Sequence, residues 1–226
     1  MEVFCTLPPR SASRTALTIG KFDGVHLGHR SIIERLIAAA IERGLPSCAL
    51  TFDPHPAQFF LKDQAPSRLT TLAQKVRLLE ECGLDRLYVC PFNETMARMS
   101  PESFVQSVLI RQLGARWILV GNDFRFGAGR TADVEGLRTL GKPSGLEVAT
   151  AGLLHIDGCS VSSTAIRAAI ANGDWATACR LLGRNALRSP ERSRCEANCT
   201  VSTRHAIEHQ GLAFAHTPGL LVLQEP

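Results

Sequence analysis

The feature that most constrains this chain is an alternation: predominantly apolar runs of strand length take turns with segments of helical periodicity as far as residue 183. Leu17 to Ile19, Cys48 to Phe52, Leu87 to Val89, Trp117 to Val120 and Glu147 to Ala151 read as five short buried strands. Between them, His29 to Arg43 places Ile32, Ile33, Leu36, Ile37, Ala40 and Ile41 on one helical stripe, closed by Gly44 and Pro46. Ser100, Pro101 and Glu102 open another helix that runs to Gln112: a cap, a tolerated first-turn proline and an acid facing the positive dipole end. Strands joined through helices make right-handed crossovers in a parallel sheet covered on both faces. The expected fold is therefore α/β, a doubly wound parallel five-stranded sheet, with ligands bound beyond the carboxyl ends of its strands.

After Gly183 the pattern breaks down, leaving one short apolar run at Gly219 to Leu223. The 226 residues then divide into a domain over 1–184 and an irregular tail over 185–226. A formal charge of +4 with scattered arginines does not favour nucleic acid and suits a small anionic ligand. No apolar stretch approaches the ~20 residues of a membrane span, and the first fifteen residues lack a signal-peptide core, so the expected address is cytoplasmic. Of eight cysteines, six are widely spaced singletons, which reads as reduced, partly buried thiols rather than a disulfide framework.

Four segments carry chemistry. The first strand is followed by GKFDGVHLGH, Gly20 to His29, and then a helix. His26 and His29 can both face one anion at a helix N-terminus, while Gly24 and Gly28 let backbone approach closely. A metal site using Asp23 with the two histidines is the competing use, but the spacing matches no three-ligand zinc pattern. The fourth strand leads into VGNDFRFGAGR, where Asp123, Phe124, Arg125 and Phe126 suit a planar, phosphate-bearing ligand. In VSSTAIR, Ser162 or Ser163 caps a helix, and Ser163, Thr164 and Arg167 converge on its first turn as a second anion cradle. TFDPHP, Thr51 to Pro56, is a stiffened turn presenting His55, with Phe59 and Phe60 following as packing surface for a ring.

Taken in order, these four segments resemble the adenylyltransferase domain of the bacterial bifunctional riboflavin kinase/FAD synthetases, over about residues 15–184. The resemblance implies a Rossmann-like nucleotidyltransferase that joins the AMP part of ATP to FMN, with Mg2+ held through the ATP phosphates. It assigns His26, His29 and Arg167 to catalysis and Gly20, Phe22, Asp23, Gly24, Gly28, Ser163 and Thr164 to ATP. His55, Phe60, Asp123, Phe124, Arg125 and Phe126 fall to the nucleotide and flavin side. Because an FMN phosphate is already ionised near neutral pH, direct in-line transfer without a covalent intermediate is expected.

Two departures stand out. Ala132 occupies a position where the family usually has glycine, a mild change unless positive φ is required. After LLGR at Leu181 to Arg184 the family's kinase barrel should begin, and 185–226 is too short for one, so the tail reads as a truncated or frame-shifted end without riboflavin kinase activity. Cys195, Cys199, His205 and His209 have zinc-type ligand chemistry but closer spacing than a familiar finger. The rival readings are a nucleotidyltransferase with another phosphate acceptor and an inactive flavin-nucleotide binder.

Overall fold

The computed structural model describes residues 1–185 and the backbone of 213–217 and 220–224. Strands β1 (Glu2–Phe4), β2 (Thr15–Ile19), β3 (Ser47–Asp53), β4 (Arg86–Pro91), β5 (Ala115–Gly121) and β6 (Glu147–Ala151) lie side by side in the order β6-β5-β2-β3-β4-β1, all parallel. The doubly wound sheet is present, and it has one more parallel strand than the five expected. β1 is three residues long, too short for any periodicity to register.

Between the strands run α1 (Leu27–Arg43), α2 (Pro56–Leu61), α3 (Leu72–Glu80), α4 (Glu94–Ala97), α5 (Pro101–Ser103), which continues as a π-helical segment Phe104–Gln112, and α6 (Val134–Gly141). A hairpin, β7 (His155–Ile156) with β8 (Cys159–Ser160), precedes α7 (Ser163–Ala171) and α8 (Trp175–Leu182). Two further strands, β9 (Ala213–Thr217) and β10 (Leu220–Gln224), extend the sheet antiparallel beyond β1. The tail expected to be irregular thus contains a strand pair, and β10 takes up the apolar run at its end. Cys195, Cys199, His205 and His209 lie outside the described residues.

Alternate residues of each central strand feed opposite faces. Leu17, Cys48, Leu50, Ile118 and Val120 pack with Phe104, Val105 and Leu109 of the π-helical segment, while Ala16, Ala49, Leu87, Trp117 and Leu119 pack with Ile33, Leu36 and Leu79 of α1 and α3. With both faces covered, the strands read as continuous apolar runs. Leu50 is fully buried, and truncating it to alanine costs about 2–5 kcal/mol.

From β2 the chain winds outward to β3 and β4, then returns to lay β5 and β6 on the other side of β2. The carboxyl ends of β2 and β5 therefore border the point where the winding reverses, which is where such sheets open a crevice. α7 and α8 share a small core of Ile166, Ala169, Ala178 and Leu181, against which Leu27 and Leu69 also pack. That contact seats the first turn of α7 beside the first turn of α1.

Candidate active site

The loop between β2 and α1 is tightly wound. Phe22 (φ 47) and Val25 (φ 36) are non-glycine residues in the left-handed region, and both side chains are buried in the core. Such conformations cost about 1–3 kcal/mol each and persist only where packing enforces them. Gly28 is closely packed: a β-carbon there would come within 3.1 Å of the Val161 carbonyl oxygen and 3.2 Å of the His26 ring.

His26 caps α1, its Nδ1 accepting the His29 backbone N–H at 3.3 Å. An accepting Nδ1 leaves the proton of the neutral ring on Nε2, so His26 presents a donor on its other side. The His29 ring stacks on it with centroids 3.7 Å apart, and Phe22 meets His29 edge-on at 5.2 Å. Burial, and secondarily the Arg184 charge, pushes the His26 imidazole down to about 4. His29 is also held well below the ordinary imidazole value, by burial first and then by the positive field of His26 and Lys75. His29 Nδ1 is buried and has no hydrogen-bond partner among the described residues. Both imidazoles are thus neutral donors or acceptors at pH 7.

Asp23, 3% exposed, knits three segments together. Its carboxylate accepts backbone N–H groups from Leu69 at 3.0 Å and Thr70 at 3.1 Å, together with the Thr70 hydroxyl at 3.3 Å. Arg167 of α7 pairs with the same carboxylate and donates through Nε to the Ser67 carbonyl at 2.8 Å. The Ser163 hydroxyl donates to the Asp23 backbone carbonyl at 2.9 Å. Ser162, not Ser163, is the cap of α7, accepting from Ala165 N–H. The two anion cradles expected from sequence are therefore one assembly, and Asp23 is its internal joint. Arg184, at the end of α8, closes the loop from behind by donating to the carbonyls of Val25, at 3.0 Å, and Gly24.

Around this joint gather three further residues, of which Lys75 and Lys21 were not singled out from the sequence and His55 was. Lys75 of α3 is 6% exposed and donates to the Thr51 hydroxyl at 3.3 Å; burial lowers its ammonium to about 8. Its signal was a lysine on the apolar stripe of Leu72, Val76 and Leu79. Lys21 is lowered by burial and by the charges of Arg130 and Arg167, with Asp123 opposing. His55, which caps α2 by accepting Ala57 N–H at 3.0 Å, is pushed down to about 4 by burial and then by Lys21, Lys75 and Arg167. These mutual fields show that the loops after β2, β3 and β5 and the first turn of α7 face one region. It carries more positive charge than negative.

The flavin-side residues divide. Asp123 and Arg125 are exposed, and Phe124 is half-buried and stacks on Phe126 at 5.5 Å. Phe126 faces inward, into the core beside Phe104. Phe60 is 61% exposed and meets Phe59 and Phe92 edge-to-face; Phe92 was not anticipated. Thr164 is exposed at the start of α7. Ala132 pairs with Phe126 across the loop and has no positive φ, so the alanine fits its backbone, while Asp133 caps α6. No group of three or more His, Cys, Asp or Glu residues that could hold a metal occurs among the described residues. The six cysteines described are free thiols, with Cys48 and Cys90 buried as expected. No helix among the described residues is long and apolar enough to cross a membrane.

Comparison with known proteins gives three results. The FAD synthetase family profile matches residues 9–165. Proteins named bifunctional riboflavin kinase/FMN adenylyltransferase are 40% identical over 167 residues in Escherichia coli (strain K12), 74% of this chain and 53% of that protein. In Pseudomonas fluorescens the identity is 42% over the same shares, and in Haemophilus influenzae 37%, over 75% of this chain and 55% of the relative. The chain spans about half the length of the curated relatives it matches. A solved structure named as a macrolide-efflux protein from Streptococcus pneumoniae superposes with a TM-score of 0.69 at 25% identity, covering 80% of this chain and 62% of that one; the likeness is one of fold.

Proposed function

The chain belongs to the FAD synthetase family, and we propose that it transfers the AMP part of ATP to FMN, giving FAD and pyrophosphate. The observation that carries this reading is the single assembly of His26, His29, Asp23, Ser163 and Arg167 at the winding reversal of the sheet. It places the first turns of α1 and α7, two neutral imidazoles and a guanidinium around one region suited to phosphate.

The reaction asks little covalent chemistry of the protein. The FMN phosphate is ionised, so it needs in-line placement against the α-phosphorus of ATP and no strong base. As the bond to pyrophosphate breaks, negative charge grows on the leaving bridging oxygen. Arg167 uses Nε and one Nη on Ser67 and Asp23, and a guanidinium has five donors, so others remain for that charge while the side chain is held in place. A single preorganised donor is worth about 3 kcal/mol in such a transition state.

Mg2+ would enter on the ATP phosphates and neutralise their charge, since the described residues build no cage of their own. Lys21, Lys75 and the helix N-termini supply the rest of the positive field. Phe60, Phe124 and the loop around Asp123 lie at the same edge of the sheet and are assigned to the flavin and nucleotide. The free thiols suit a cytoplasmic setting.

A single-turnover reaction with α-32P-labelled ATP and FMN tests the mechanism. Label is expected in FAD and none on the protein at any time; a trapped adenylylated protein would overturn direct transfer.

A further inference from the structure

At the amino edge of the sheet, the opposite end from the site above, lies a cleft of about 570 Å³ between the segment preceding β2 and the end of the π-helical segment. Arg10, Arg14, Arg111 and Arg116 line it together with Ser11 and Ser13, and no carboxylate does so among the described residues. β5 runs seven residues from this edge to the other, so the two sites are roughly 20 Å apart.

The cleft is built rather than incidental. Ser11 Oγ donates to the Ser13 carbonyl at 2.6 Å, and the turn they form is tied down by Ser11 N–H to the Arg111 carbonyl at 2.8 Å and Arg86 to Ser13 Oγ at 2.9 Å. Gly114 (φ +64) is the pivot, because a β-carbon there would lie 2.2 Å from the Ser13 carbonyl oxygen. A helix end would ordinarily present carbonyl oxygens and repel an anion. Here those of Val108, Ile110, Arg111, Leu113 and Gly114 are all taken, the last two by Thr15. Most of the carbonyl charge at this helix end is thereby neutralised, and four guanidinium groups line the cleft.

Several arginines elsewhere pair with acids, as Arg30 does with Glu81, Arg86 with Glu2 and Arg98 with Glu94. The guanidinium groups of Arg10, Arg14 and Arg111 have no hydrogen-bond or ion-pair partner among the described residues, while Arg116 donates to the Ser144 carbonyl. Like charges gathered around one concavity repel, an arrangement that an anion relieves and that guanidinium forks bind in bidentate fashion. The volume lies in the range of small-ligand sites and exceeds what one phosphate fills. A chain with a net charge of +4 and a bounded cleft, rather than a basic stripe, argues for a small ligand over nucleic acid.

We propose that this cleft binds the diphosphate group of a small phosphorylated molecule, free or carried on a nucleotide, at a site separate from the one at the carboxyl edge. The inference does not depend on the reaction assigned above.

Phenylglyoxal footprinting of the whole protein, read peptide by peptide by mass spectrometry, locates binding even though pyrophosphate also has a place at the other site. With pyrophosphate or ADP near ten times its dissociation constant, modification of Arg14 and Arg111 should slow about tenfold by mass action. Orthophosphate at equal ionic strength should leave the rates unchanged. Protection by both probes assigns the free diphosphate, and protection by ADP alone assigns the nucleotide-borne group. Equal protection by orthophosphate, protection by an RNA oligonucleotide alone, or no protection overturns the proposal. The Arg14→Gln, Arg111→Gln double variant, checked for an unchanged thermal melt, should lose the corresponding calorimetric binding event; retention of that event counts equally against it.

Discussion

The imidazole of His29 lies on that of His26 with ring centroids 3.7 Å apart and planes 17° from parallel, so charging both rings at once would set like charges in contact. His26 and His55 are each lowered from 6.5 to about 4, and His29 is lowered as well. The unfolded chain therefore binds more protons than the folded one between about pH 4 and 6.5. Stability is full above that window and is lost as pH falls through it. Urea unfolding at pH 7 and pH 5 should show the loss. His26→Asn keeps a side-chain acceptor for the helix cap and removes one titration, so it should lessen the difference. A variant with the same pH dependence as the unaltered protein would contradict the assignment.

Asp23→Asn leaves Arg167 without its buried partner and weakens the acceptor that Leu69 and Thr70 share. Breaking a buried pair by removing one member costs about 3–5 kcal/mol. Chemical denaturation should show a loss of that order, and because Arg167 is released, the Michaelis constant for ATP should rise as well. A change below about 1 kcal/mol would show that the pair is screened by solvent like an exposed ion pair.

Lys75 makes the opposite trade. Its ammonium is lowered to about 8, so the folded state disfavours the charge, and stability should rise with pH between about 8 and 10.5. Lys75→Met removes the buried charge at similar volume, and Thr51 keeps its bond to the Lys21 carbonyl. The variant should gain about 1–2 kcal/mol at pH 7 and lose turnover. Unfolding and initial rates on one preparation check both signs, and a variant that is less stable and fully active would reverse the argument.

Gly28→Ala separates fold from chemistry. Alanine favours a helix over glycine by roughly 0.5–1 kcal/mol, which offsets part of the crowding against Val161 and the His26 ring. The melting temperature should move little while kcat falls, because the ring that must give is that of His26, which we assign to the phosphates of ATP.

The strands and the phosphate loop were legible because both are local. A buried parallel strand is an apolar run, and the strand, glycine and histidine sequence of residues 17–29 marks a candidate anion site. β1 was hidden by its length, and β9 by the shortness of its apolar stretch, Ala213 to Ala215. The joint at Asp23 was hidden for a different reason: its partners are 46 and 144 residues away, and no spacing rule links them. Lys75 could have been found as a charge on an apolar stripe. Phe126 could not have been told from Phe124, since both pack on the same core and differ only in that Phe126 is buried and Phe124 half-buried.

The most direct measurement of the central claim is product chromatography after incubating the protein with ATP, Mg2+ and, in separate reactions, FMN, pantetheine phosphate and nicotinate mononucleotide. FAD and pyrophosphate should form in equal amounts from FMN alone, and His29→Ala should reduce the rate about 100- to 1000-fold without unfolding the protein. A product from another acceptor, or binding of FMN with no FAD formed by the folded protein, would contradict the account.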